Sequence, residues 1–143
     1  MLTNQVQFDR MVAYIENQKE RCVDPGSGHC LNLAPNGNRC VFGAFIPDNH
    51  PALGEPYKIS DSFETVEMFP ELLGVAVPDT EDGMELTYHL QRVHDGPQYR
   101  ETSTGGGLSE TGYERLKRIA EYHDLEFEVP VSNEPDNVES CNY

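Results

Sequence analysis

The chain has 143 residues, 25 acidic against 10 basic, a net charge of −15 and an apolar content of 37%. One domain is the expectation for this length, and such a chain can bury a core without staples. The charge excludes direct nucleic-acid binding as a default, because phosphate neutralisation by Lys and Arg supplies most of that affinity. It also disfavours anionic membrane surfaces and favours a protein partner with a basic surface.

No run of 18 apolar residues is present, so no membrane span is expected. The opening MLTNQVQFDR lacks a basic region followed by an apolar one, so no secretory signal is read there. The expected setting is cytoplasmic, with reduced thiols.

Residues 4 to 21 predict an amphipathic helix, with Phe8, Met11, Val12 and Ile15 on one stripe and Cys22 continuing it. Asn4 and Gln7 form a candidate cap pair. Pro25, Gly26 and Gly28 break the helix.

The stretch CLNLAPNGNRCVFGAFIPD, residues 30 to 48, predicts a β-hairpin around Asn36-Gly37. Two registers compete. A two-residue turn pairs Leu33 with Cys40 and gives a uniformly apolar face, the reading the pattern favours. A three-residue turn, favoured by the Pro35-Asn36-Gly37 order, pairs Ala34 with Asn38 and Asn32 with Cys40.

A short helix is expected over 61 to 68, capped by Asp61, with Phe63 and Val66 inward and Pro70 as its stop. PELLG adds one turn ending at Gly74. Residues 83 to 95 predict a helix with Asp82 and Glu85 as its cap pair and Leu86, His89, Leu90 and Val93 on one face. Residues 97 to 110 read as a polar, Gly-rich loop. A last helix is expected from about 112 to 123, started by Thr111 with Glu114, with Tyr113, Leu116, Ile119, Ala120 and His123 on its apolar face. LEFEV then alternates as a half-buried strand does. The tail from 130 to 143 is acidic and Pro-containing and is expected to be disordered. The fold class is therefore α+β, mostly helical, with about four helices and one hairpin: a single domain over 1–129 and a flexible acidic tail over 130–143.

No cofactor or metal is expected. Cys22, His29, Cys30 and Cys40 could supply zinc ligands, but no close cysteine pair is present and adjacent strand residues point apart. A zinc-stabilised module stands as a second alternative. Cysteine catalysis lacks a recognisable motif, and STGGGLSE lacks the Lys-Ser/Thr of a phosphate loop. Whether the protein is an enzyme is left open. Were there a ligand site between hairpin and helices, Arg39, Asp48, His50, His94 and Asp95 would be its residues. Of these, His94-Asp95 at a helix C-terminus could be an acid–base pair or could serve the helix dipole.

Cys30, Asn36-Gly37, Cys40, the apolar run 41 to 45 and Ile46-Pro47-Asp48 resemble the signature of an uncharacterised family of small proteins encoded in bacteriophages and prophages. The resemblance extends more weakly through FETVEMFPELLG and LQRVHD, over roughly residues 5 to 125. Asn32 stands where that family often carries an aromatic, and Phe42 where it often has Ala. The resemblance implies expression inside an infected bacterium. With the charge, it leads to the expectation of an acidic accessory protein that binds a host or anti-phage-defence protein, with inhibition of that protein as one form of the reading and mimicry of DNA as a narrower version.

Overall fold

The computed structural model describes residues 1–17, 32–33, 37, 39–54, 62–102 and 105–128. Among the described residues, four α-helices follow in order: α1 (Asn4–Asn17), α2 (Ser62–Met68), α3 (Glu81–Asp95) and α4 (Glu110–Tyr122). Two strands, β1 (Arg100–Thr102) and β2 (Gly105–Leu108), form an antiparallel hairpin between α3 and α4. The architecture is α+β and mostly helical. Single 3-10 turns at Gly43–Phe45, Pro51–Leu53, Pro70–Leu72 and Pro97–Tyr99 carry the connections. The acidic tail, Cys22, His29, Cys30 and Cys141 lie outside the described residues.

The apolar stripes do what their spacing requires. Phe8, Met11, Val12 and Ile15 from α1 meet Leu86, Leu90 and Val93 from α3 and Leu116, Ile119 and Ala120 from α4 in one cluster. Each full burial of such a side chain is worth about 1.5–3 kcal/mol. PELLG makes its turn at Pro70–Leu72, and Gly74 takes the positive φ of +84° that ends it.

The caps differ from expectation by one or two residues each. Thr3 caps α1, accepting from Val6 N at 3.1 Å. Gln7 is freed for the interior, where its amide donates to Ala76 O and Thr87 Oγ1, both at 2.9 Å, and its oxygen accepts from Arg10 Nε. Thr80 rather than Asp82 caps α3, and Ser109 rather than Thr111 caps α4, each accepting from the backbone N–H three residues on. The proposed cap of α2, Asp61, lies outside the described residues. Phe63 points outward, while Ser62, Thr65 and Val66 are buried.

The hairpin is found elsewhere than predicted. Among the described residues of 30–48, one antiparallel bridge forms, Leu33 with Arg39. That pairing belongs to the three-residue-turn register and sets Asn32 opposite Cys40. Cys40 Sγ donates to Asn32 Oδ1 at 3.4 Å and accepts from Gly43 N at 3.1 Å. The favoured two-residue register is therefore overturned. Beyond Cys40 the chain coils instead of extending: Ala44 N bonds Cys40 O, and Ile46 N bonds Gly43 O. In this coil Gly43 presses onto the backbone of Asn32. A Cβ on it would sit 2.1 Å from Asn32 O. Val41, Phe42 and Ile46 reach the core all the same.

The real hairpin uses the Gly-rich segment read as a loop. Its pairs, Arg100 with Leu108 and Thr102 with Gly105, are offset by an irregularity between them. Arg100 points inward and is almost fully buried. Its guanidinium donates to His94 O from Nε at 3.3 Å and from Nη2 at 3.1 Å, and to Ile15 O from Nη1 at 3.0 Å. Both carbonyls lie in last turns, of α3 and α1, where a cation offsets the partial negative charge of the helix end.

LEFEV alternates as expected: Leu125 and Phe127 are half-buried, and Glu126 and Glu128 are exposed. Over 125–128 it pairs with a side chain and not with a strand. Gln5 donates to Glu126 O at 3.1 Å and accepts from Glu126 N at 2.9 Å. Phe127 meets Phe8 edge-on, with ring centroids 5.3 Å apart.

Candidate functional site

The five residues singled out for a ligand site fall into two groups. Arg39, Asp48 and His50 share an open depression of about 640 Å3 with Leu33, Asn49 and Leu53. Arg39 pairs with Asp48 at 2.7 Å, and His50 Nε2 lies 2.9 Å from Glu71 Oε2. His94 and Asp95 are not part of that wall. The His94 side chain is 0% exposed, its Nδ1 is 2.9 Å from Asp95 Oδ1, and its Nε2 has no hydrogen-bond partner. Asp95 also accepts from Gln91, whose oxygen takes Phe42 N. The pair thus braces the coil after Cys40 against α3 and is closed to solvent on the histidine side.

A different face assembles more chemistry. It is built where α2, the first half of α3 and the end of α4 meet. Thr80 stops the chain and starts α3. Its first turn then carries Glu81 and Asp82, acids that suit a helix N-terminus. Helical spacing places Asp82, Glu85 and His89 along the edge next to α4, and Glu81, Glu85, Tyr88 and Arg92 along the outer side. Across the gap, α4 ends at Tyr122, and His123 closes it as the C-cap.

Aromatic rings run across this face without a break. Phe63 lies 5.6 Å from Tyr88, Tyr88 6.1 Å from His89, and His89 6.2 Å from Tyr122, centroid to centroid. Phe63, Tyr88 and Tyr122 are 46%, 41% and 71% exposed, high for side chains of this size. Arg92 already sits 5.7 Å over the Tyr88 ring. Beside the row is an open depression of about 670 Å3 lined by Phe63, Glu81, Asp82, Met84 and Glu85.

At its inner edge, Asp82 joins three helices. Its Oδ1 lies 2.9 Å from His123 Nδ1, and its Oδ2 accepts from Asn4 Nδ2 at 2.7 Å. The His123 side chain is 0% exposed and its Nε2 has no hydrogen-bond partner. Potential ligand atoms of Asp82, Glu85 and His123 lie within 4.8 Å of one another. His89, 5.7 Å from His123 between ring centroids, is pushed below the ordinary histidine range, chiefly by burial, with Glu85 opposing and His123, Arg115 and Arg92 assisting.

Sequence reasoning assigned these residues lesser roles: Asp82 and Glu85 as a cap pair, His89 and His123 as core histidines, Phe63 as inward-facing. The spacing Asp82, Glu85, His89 was the available signal for a shared helix edge. Nothing in the sequence brings His123 to it, since that depends on how α4 crosses α3.

Among the described residues, no helix is long and apolar enough to cross a membrane. No protein-family model matches the chain, and no curated protein and no solved structure matches it significantly.

Proposed function

We propose that this protein is a small acidic accessory protein that binds another protein through the face described above, the partner presenting a basic surface. The observation that carries the reading is the exposed row Phe63, Tyr88 and Tyr122 set against Glu81, Asp82 and Glu85. Exposed aromatic side chains grouped on one face mark interaction surfaces, and aromatic anchors dominate binding energy where they become buried. The bordering carboxylates select for Lys or Arg, whose cations suit both acid and ring faces. The net charge of −15 steers such a partner inward and repels nucleic acid. The resemblance of residues 30–48 to phage-encoded proteins supplies the setting: a host or defence protein, met in the cytoplasm of an infected bacterium.

The test is capture of partners from infected cells by the tagged full chain, at low and at moderate salt, beside a Phe63→Ser/Tyr88→Ser variant. The proposal expects one protein with a basic surface, retained by the wild type. Purified, it should bind the variant more weakly by about tenfold or more, the cost of losing one or two aromatic anchors. Equal affinity for the variant, or retention of nucleic acid alone, overturns it.

A further inference from the structure

We propose that Asp82, Glu85 and His123 form a binding site for a divalent transition-metal ion, of which Zn2+ is the natural probe, with His89 as its fourth ligand. The inference shares Asp82 and Glu85 with the protein-binding face but rests on a different observation, and it is tested on the protein alone, with no partner present.

The first support is geometric. Two carboxylates and an imidazole from two helices converge with ligand atoms within 4.8 Å of one another. Atoms bound to one tetrahedral ion at about 2.0–2.1 Å lie roughly 3.4 Å apart. Asp82 Oδ1 and His123 Nδ1, at 2.9 Å, are already that close. Asp82 is half-exposed at its side chain and Glu85 is partly exposed, so the acids can close the remaining distance, at most about 1.4 Å. His89 and His123 have centroids 5.7 Å apart. Two imidazoles on one tetrahedral ion sit at roughly 5 Å.

The second support is the state of His123. Its side chain is sealed from solvent, and one nitrogen is turned to the carboxylate of Asp82 while the other lacks any hydrogen-bond partner. Such a buried unsatisfied nitrogen calls for an explanation. The C-cap position at the end of α4 holds the ring with Nδ1 facing the Asp82 carboxylate. Donor chemistry sets the metal class. An imidazole with carboxylates suits Zn2+ and its neighbours, whereas Ca2+ and Mg2+ prefer oxygen alone.

The experiment is a Zn2+ titration of the full-length protein under reducing conditions, read by 15N NMR of the histidine rings. A parallel Co2+ titration is read by absorption. One equivalent of Zn2+ is expected to move the Nδ1 resonance of His123. Asp82→Asn and Glu85→Gln, whose folding is checked by circular dichroism, are each expected to weaken binding by at least about tenfold. Glu71→Gln, on another face, leaves it unchanged. His89→Ala should weaken it less than loss of either acid. The proposal is overturned if the His123 nitrogens do not respond, if both acid variants bind as the wild type does, or if Co2+ shows thiolate charge-transfer bands, which would put the ion on the cysteines.

Discussion

Replacing Arg100 by Met removes a charge while keeping most of the apolar volume, and the structure sets the size of the effect. Three donations end on two carbonyls, His94 O and Ile15 O, at 3.0–3.3 Å, in a nearly fully buried site. Methionine leaves both acceptors without that donor. A hydrogen bond to a charged group is worth about 1.5–3 kcal/mol, and an orphaned buried carbonyl costs about 1–3. Two acceptors therefore put the loss at about 3–5 kcal/mol, with the interaction at the two helix ends included. For a chain of this size that lowers Tm by roughly 10–20 °C. Urea unfolding followed by circular dichroism measures it, and the midpoint should fall with little change in slope. Arg100→Lys should recover only part, since a compact ammonium cannot bridge two carbonyls as the planar fork does. A Met variant within about 1 kcal/mol of wild type would refute the claim that this guanidinium ties α1 to α3.

Gly43→Ala forces a methyl against backbone atoms of Asn32 at 2.1–2.9 Å, so the bridge at Leu33 must part. About 3 kcal/mol or more is expected in thermal melts, against about 1 for Gly74→Ala, where only the positive φ objects. Tyr113 donates to Glu16 Oε2 at 2.7 Å, and burial together with that carboxylate pushes its phenol up from 10.0 to about 12. The folded state thus holds the proton more tightly. Its stabilisation is complete below pH 10 and fades as the pH climbs towards 12, and Tyr113→Phe should flatten that limb of the stability profile. Absorbance at 295 nm (a tyrosinate band) checks the ionisation directly. Gln5→Ala removes both bonds to Glu126 and should cost about 1 kcal/mol locally, seen as faster hydrogen exchange at the Glu126 amide without a matching fall in global stability.

The helices were legible because apolar side chains recur with the period of a helix. Phe8, Met11, Val12 and Ile15 need no tertiary information to be recognised as one face. The misplaced hairpin shows where such reading stops. In Gly105–Leu108 three glycines carry no side-chain pattern, so nothing in the residues announces a strand. In residues 40–46 an apolar run fit for a strand coils instead, because Gly43 permits a backbone contact that extension would break. Phe63 was placed inward on hydrophobicity alone, although the residues beside it, Ser62 and Thr65, take the buried positions. The candidate site was half visible. Asp82, Glu85 and His89 share an edge by spacing, but the approach of His123 is set by a helix crossing. Arg39, Asp48 and His50 meet, while His94 and Asp95 turn to bracing the interior.

The two buried glutamines have a consequence for how this protein can vary. Gln7 answers Ala76, Thr87 and Arg10, and Gln91 answers Phe42 and Asp95. Greasy positions between them can trade one hydrocarbon for another of like volume. The amides cannot, because sliding α1 by one turn, about 5.4 Å, would strand the bonds of Gln7 to Ala76 and Thr87, and shifting the coil at Phe42 would strand its bond to Gln91. They work as a pawl in a ratchet, and drift at Gln7 or Gln91 should be tolerated only when the groups they answer change in the same lineage.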